Sequence, residues 1–154
     1  MGPSGECVHR EILARAREAA GGDPVLLGAV EYLFSAPSET SVCAFADRWR
    51  GEPGKAAKIL CLFLWDRKAG SSARAAAACV LGECRQRSMA PQMIPLLADP
   101  DPLVRNQVGW ALGELGDASL LPEIAPMLDS PDWGTRRATV LALNLIRSNA
   151  ARAS

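Results

Sequence analysis

Histidine is nearly absent: His9 is the only one in 154 residues. A His-rich metal site is thereby excluded, and no spare imidazole remains for a Ser-His-Asp triad. β-Branched residues are scarce too, with 8 Val, 5 Ile and 3 Thr against 26 Ala and 19 Leu. A chain so rich in strong helix formers reads as all-α, and an all-β fold is excluded. No charge sign dominates, because 17 Lys+Arg balance 17 Asp+Glu. That balance argues against nucleic acid as a partner, since duplex binding through counterion release needs a basic surplus. Long apolar runs are missing, the longest being Ile59 to Trp65, far short of the ~20 residues of a spanning helix. No membrane partner is expected. Five cysteines (Cys7, Cys43, Cys61, Cys79, Cys84) lack any Cys-x-x-Cys spacing and read as reduced, mostly buried thiols. The opening Met-Gly-Pro-Ser-Gly-Glu has no basic stretch followed by an apolar one, so no secretory signal is expected. These features point to a cytoplasmic protein.

What is present is a repeat. Shifting the C-terminal part by thirty-one residues lays Pro91 on Pro122, Pro95 on Pro126 and Leu97 on Leu128. The same shift lays Pro100-Asp101 on Pro131-Asp132, Arg105 on Arg136 and Ala111-Leu112 on Ala142-Leu143. Shifted backwards, Arg74 and Leu81-Gly82-Glu83 fall on Arg105 and Leu112-Gly113-Glu114. So many identities at one offset mark a repeat rather than chance.

Each unit reads as two helices. The first, as in Leu120–Asp129, is short; Pro122 suits its first turn and Pro126 should bend it. A Pro-Asp turn follows, with Asp101 and Asp132 as N-caps of the second helix. That helix is predicted over about Leu103 to Leu115, with Gly116 as a left-handed C-cap. Val104, Val108, Ala111, Leu112 and Leu115 share one stripe, the predicted core face. One unit back the stripe is Ala73, Ala77, Val80, Leu81 and Cys84; one unit forward it is Thr135, Thr139, Ala142, Leu143 and Ile146. The N-terminal half predicts helices near Cys7–Ala20, Pro24–Ser35, Thr40–Arg50 and Lys55–Arg67, with breaks at Gly21-Gly22, Pro37 and Gly51–Gly54. The helix at 55–67 is expected to pair with one at 72–85. The chain as a whole reads as one solenoid domain, 1–154, of about four antiparallel helix pairs. Residues 1–50 are either a divergent cap or a further unit.

The stretch DPDPLVRNQVGWALGELGD, from Asp99 to Asp117, resembles a HEAT repeat of the short type associated with phycobiliprotein lyases. The likeness lies in Val104-Arg105, Ala111-Leu112-Gly113 and Leu115-Gly116-Asp117. The unit ending Leu81-Gly82-Glu83 matches in part, and the last unit has Asn144 in place of the glycine. The resemblance covers about residues 70–147 and implies an α-solenoid of stacked helix pairs. In such folds, arginines at the positions of Arg74, Arg105 and Arg136 ladder to turn aspartates, here Asp99, Asp101, Asp129 and Asp132. These residues, with Asp101 and Asp132 as caps, are expected to be structural. Deoxyhypusine hydroxylase, which resembles such repeats, depends on His-Glu pairs that this chain lacks.

The resemblance also implies that the second helices line a concave surface. For the central unit that face holds Asn106, Trp110 and Gly113, flanked by Ala75, Cys79 and Gly82 on one side and Arg137, Leu141 and Asn144 on the other. A Trp opposite an apolar stripe is a typical interface anchor. A protein partner is therefore expected at Asn106, Trp110, Arg137, Leu141 and Cys79, with Trp133 as a second exposed aromatic. No catalytic residue, metal or cofactor is expected, and Cys7-Val-His9 reads as incidental near a terminus. The resemblance alone supports an alternative, a phycobilin lyase-isomerase or other chromophore-handling subunit. Charge falls in blocks: residues 67–87 carry five bases and one acid, 99–132 seven acids and one base, and 133–154 four bases and no acid. This pattern suits steering of a protein partner or self-association through oppositely charged ends.

Overall fold

A computed structural model of the chain describes residues 5–34 and 53–153, and among these every regular element is helical, with no strand. The chain divides into two compact units, Met1–Val80 and Leu81–Ser154.

In the first unit, α1 (Gly5–Ala20) ends where Gly21 and Gly22 adopt φ of 60° and 79°, the left-handed region that glycine enters without a Cβ penalty. Asp23 then accepts from the Leu26 amide at 3.3 Å and starts α2 (Pro24–Phe34). α3 spans Pro53–Trp65. The break expected over Gly51–Gly54 is therefore displaced: Pro53 and Gly54 form the first turn of α3, because a proline there gives up only an amide that has no helical partner. α3 stops at Trp65, two residues short of the expected end, where the Asp66 carboxylate takes the Lys68 amide at 2.9 Å in a tight turn. α1 packs on both α2 and α3. The interior is Ala16, Ala20, Leu26, Val30, Ile59, Leu60, Phe63 and Leu64, all buried. The helix expected at Thr40–Arg50, the break at Pro37 and the side chains of Cys7 and His9 lie outside the described residues.

α4 (Ser71–Glu83) runs from the first unit into the second. The second unit holds two successive repeats. The first helix of each is composite. Residues Arg87–Met89 and Ile94–Ala98 are 3₁₀ turns around α5 (Ala90–Met93); Ala118–Leu120 and Ala125–Asp129 flank α7 (Leu121–Ile124) in the same way. Pro95 and Pro126 each stand in the first turn of the second 3₁₀ stretch. A proline cannot donate to an α-helical bond, and its ring crowds the preceding turn, so the helix tightens there as expected. The second helices are α6 (Pro102–Leu115) and α8 (Trp133–Arg152).

Capping follows the sequence closely. Asp101 accepts from Leu103 and Val104 amides at 2.8 and 3.4 Å, and Asp132 from the Thr135 amide at 2.7 Å. Gly116 closes α6 at φ 61°. One repeat earlier the same place is held by Arg85, with φ 55°. The predicted stripe is the core: Val104, Val108, Ala111, Leu112 and Leu115 are all fully buried. Thr135, Thr139, Ala142 and Ile146 are buried as well, whereas Leu143 is only half-buried. α6 packs mainly on α8, with each helix also covered by the 3₁₀ stretch that precedes it.

Candidate protein-binding surface

The core stripe fixes which way the rest of α6 points. Asn106 is exposed and Trp110 half-buried on the side away from the stripe. Trp110 owes its partial burial to α4: a Cβ placed on Gly82 would lie 3.2 Å from Trp110 Cζ3 and 2.9 Å from Ala111 Cα. The indole therefore lies against a bare backbone, fixed on one side and open on the other. On α8, the Arg137 guanidinium sits 5.5 Å from the centre of the Trp133 ring, and Trp133 is 64% exposed. This is a cation–π contact at the surface. Leu141 is half-buried one turn further on.

Four of the five expected contact residues thus lie on adjacent second helices of one unit. The fifth, Cys79, does not join them. It is 2% exposed, and neighbouring Ala75 and Ala78 are buried with it, so this turn of α4 has no free face to offer a partner. Cys61, Cys79 and Cys84 are thiols rather than disulfides.

The three repeat arginines are structural, though in a different way from that expected. Arg105 Nη1 donates to the Asp99 carbonyl at 2.9 Å, and Arg136 Nη1 to the Ser130 and Pro131 carbonyls at 2.8 and 2.9 Å. Arg74, itself buried, donates through Nε to the Leu64 carbonyl at 3.1 Å. Each guanidinium thus satisfies carbonyls that end the preceding helix or form the turn, groups with no helical donor of their own. Only Arg105 also reaches an aspartate of the next repeat, Asp132 at 3.9 Å. Asp99 instead accepts the Asp101 amide within its own turn, at 3.0 Å.

Three glycines that the repeat comparison passes over, or marks only as matched, set the helix spacing. A Cβ on Gly109 would lie 2.7 Å from the Ala138 carbonyl oxygen. On Gly113 it would lie 2.7 Å from Leu145 Cδ1, and on Gly134 it would run into the Arg105 guanidinium, 2.6 Å from Cζ. Gly109 and Gly134 have no glycine thirty-one residues away, so a search for identities could not find them; only a glycine inside a capped helix hints at close approach. The α6 C-terminus is closed from both sides, by Arg85 Nη1 on the Glu114 carbonyl and Asn149 Nδ2 on the Gly113 carbonyl, each 2.9 Å.

In the first unit, Arg15, Cys61, Leu62, Trp65 and Asp66 line an open cleft of about 470 Å³. Burial pushes the Cys61 thiol above its ordinary pKa, which keeps it protonated near neutrality and poorly nucleophilic. Among the described residues no three His, Cys, Asp or Glu side chains cluster as metal ligands would. No helix there is long and apolar enough to cross a membrane.

Comparison with known families matches residues 66–144 to HEAT repeats. No match was found among curated proteins or among solved structures. The matched span begins just before α4, ends within α8 and contains every cap, turn arginine and spacing glycine described above. The chain belongs to the HEAT-repeat family.

Proposed function

We propose that this chain is a non-catalytic protein-interaction module whose binding surface is the outward side of α6 and α8. The observation that carries this reading is Trp110, a large aromatic on the side of α6 opposite a fully buried stripe. It is braced by Gly82 and bordered by exposed Asn106 and by the Arg137–Trp133 pair. A braced aromatic loses little conformational entropy when a partner covers it, the usual character of an interface anchor. HEAT repeats commonly mediate protein–protein contacts, which agrees with this use of the fold.

The test is affinity capture from the lysate of the cell of origin, with three variants beside the wild type. Asn106→Arg and Arg137→Glu alter exposed positions and leave the core untouched; Trp110→Ala removes the anchor. The expected result is a stoichiometric partner retained by wild type and depleted at least tenfold by Asn106→Arg and Trp110→Ala, with helicity unchanged. Equal retention by all three variants would overturn the surface assignment.

A further inference from the structure

We propose that two copies of this chain pair through α8, antiparallel, about a twofold axis at Val140. The first support is the repeat register. The side of α6 that meets α8 carries Arg105, Gly109 and Gly113; thirty-one residues on, the corresponding side of α8 carries Arg136, Val140 and Asn144. Gly109 is closed against Ala138, whereas Val140 is 45% exposed. Leu97 is fully buried, and its counterpart Leu128 is 37% exposed. The side by which one repeat stacks on the next is thus open at α8. A valine where the inner junction demands a glycine forbids the same close stacking, so the occupant is a helix held further away.

The second support is spacing and charge. Trp133, Val140 and Arg147 stand seven residues apart on α8, a heptad seam. Each outer member lies about 10 Å from Val140 along the axis. α8 begins beside Asp129 and Asp132 and carries Arg147 and Arg152 near its other end, with no acid from Trp133 onward. A parallel pair would align like charges. An antiparallel pair centred on Val140 places Arg147 of each copy over the exposed Trp133 of the other, and Arg152 near Asp129. Such a guanidinium–indole contact is the one Arg137 already makes within the chain. The arrangement is isologous, so it closes at two copies.

Sedimentation velocity of the full chain across a concentration series tests this. The wild type should shift from 16.4 kDa to twice that mass. Val140→Glu should remain monomeric with unchanged far-UV circular dichroism, and Arg147→Glu should raise the dimer Kd about tenfold. Val140→Cys should give a diamide-induced interchain disulfide that wild type and Asn106→Cys do not. Trp110→Ala, on the other surface, should leave the dimer intact. A wild type that stays monomeric to about 1 mM, as it would if a further repeat or an unrelated protein normally covered α8, overturns the proposal. So does a Val140→Glu variant that dimerises as readily as wild type.

Discussion

Gly109 and Gly113 look equivalent on paper, both helical glycines of α6 facing α8, yet they differ in what an added methyl would meet. At Gly109 the obstacle is the Ala138 backbone carbonyl; at Gly113 it is the Leu145 side chain. A side chain can change rotamer and a backbone cannot without moving its helix. Gly109→Ala is therefore expected to cost about 1–3 kcal/mol, as overpacking of an interior does, and Gly113→Ala clearly less. Thermal melts of the two variants side by side check the order. Gly116 is different again: a Cβ there meets only Asn149 Cβ at 3.6 Å, an ordinary contact, and the obstacle is φ 61°. Gly116→Ala should cost about 1 kcal/mol through backbone strain alone. Arg85 already accepts that conformation at the equivalent place, with its guanidinium on the Glu114 carbonyl.

At the scale of the element, stability depends on carboxylates that cap helix starts. The Thr135 hydroxyl, at 2.8 Å, and the Thr135 amide hold the Asp132 pKa below its ordinary 3.8. The Ser119 hydroxyl at 2.6 Å and the Ser119 amide do the same for Asp117. A carboxylate with a depressed folded pKa stabilises fully above its unfolded value and loses that contribution as pH falls through the folded one. The melting temperature should accordingly be flat near neutrality and drop once the pH passes below about 4. Asp132→Asn keeps a capping oxygen but cannot titrate, so it should make the acid-side fall shallower with little change at pH 7. Asp101→Ala, which strips both Leu103 and Val104 amides of their acceptor, should cost about 1 kcal/mol at neutral pH.

For the whole molecule the notable quantity is the charge pattern, since the total is zero. The acidic block at 99–132 and the basic block at 133–154 meet at the start of α8. In the antiparallel dimer these blocks face each other across the axis on exposed side chains. Raising ionic strength from about 0.05 to 0.5 M, which shortens the screening length severalfold, should weaken the dimer. The Val140 disulfide should form more slowly in the same series. A dimer that strengthens with salt would point to an apolar contact without the Arg147–Trp133 element.

Much of this was legible in the chain itself. The all-helical fold, the thirty-one-residue period, the Asp101 and Asp132 caps, the left-handed Gly116 and the buried stripe of α6 all follow from local rules. Capping, φ preference and 3.6-residue periodicity involve only residues near one another in sequence. What the sequence could not decide involves contacts between helices. Cys79 and Trp110 occupy the same repeat position, but one is buried and the other half-open, because exposure depends on what lies across from each helix. Arg105 and Arg136 match in sequence and in their turn carbonyls, yet only Arg105 has an aspartate of a following repeat within reach. Gly109 and Val140 also share a register, and tertiary packing alone shows why one must be glycine: a neighbouring backbone already occupies the space its side chain would need.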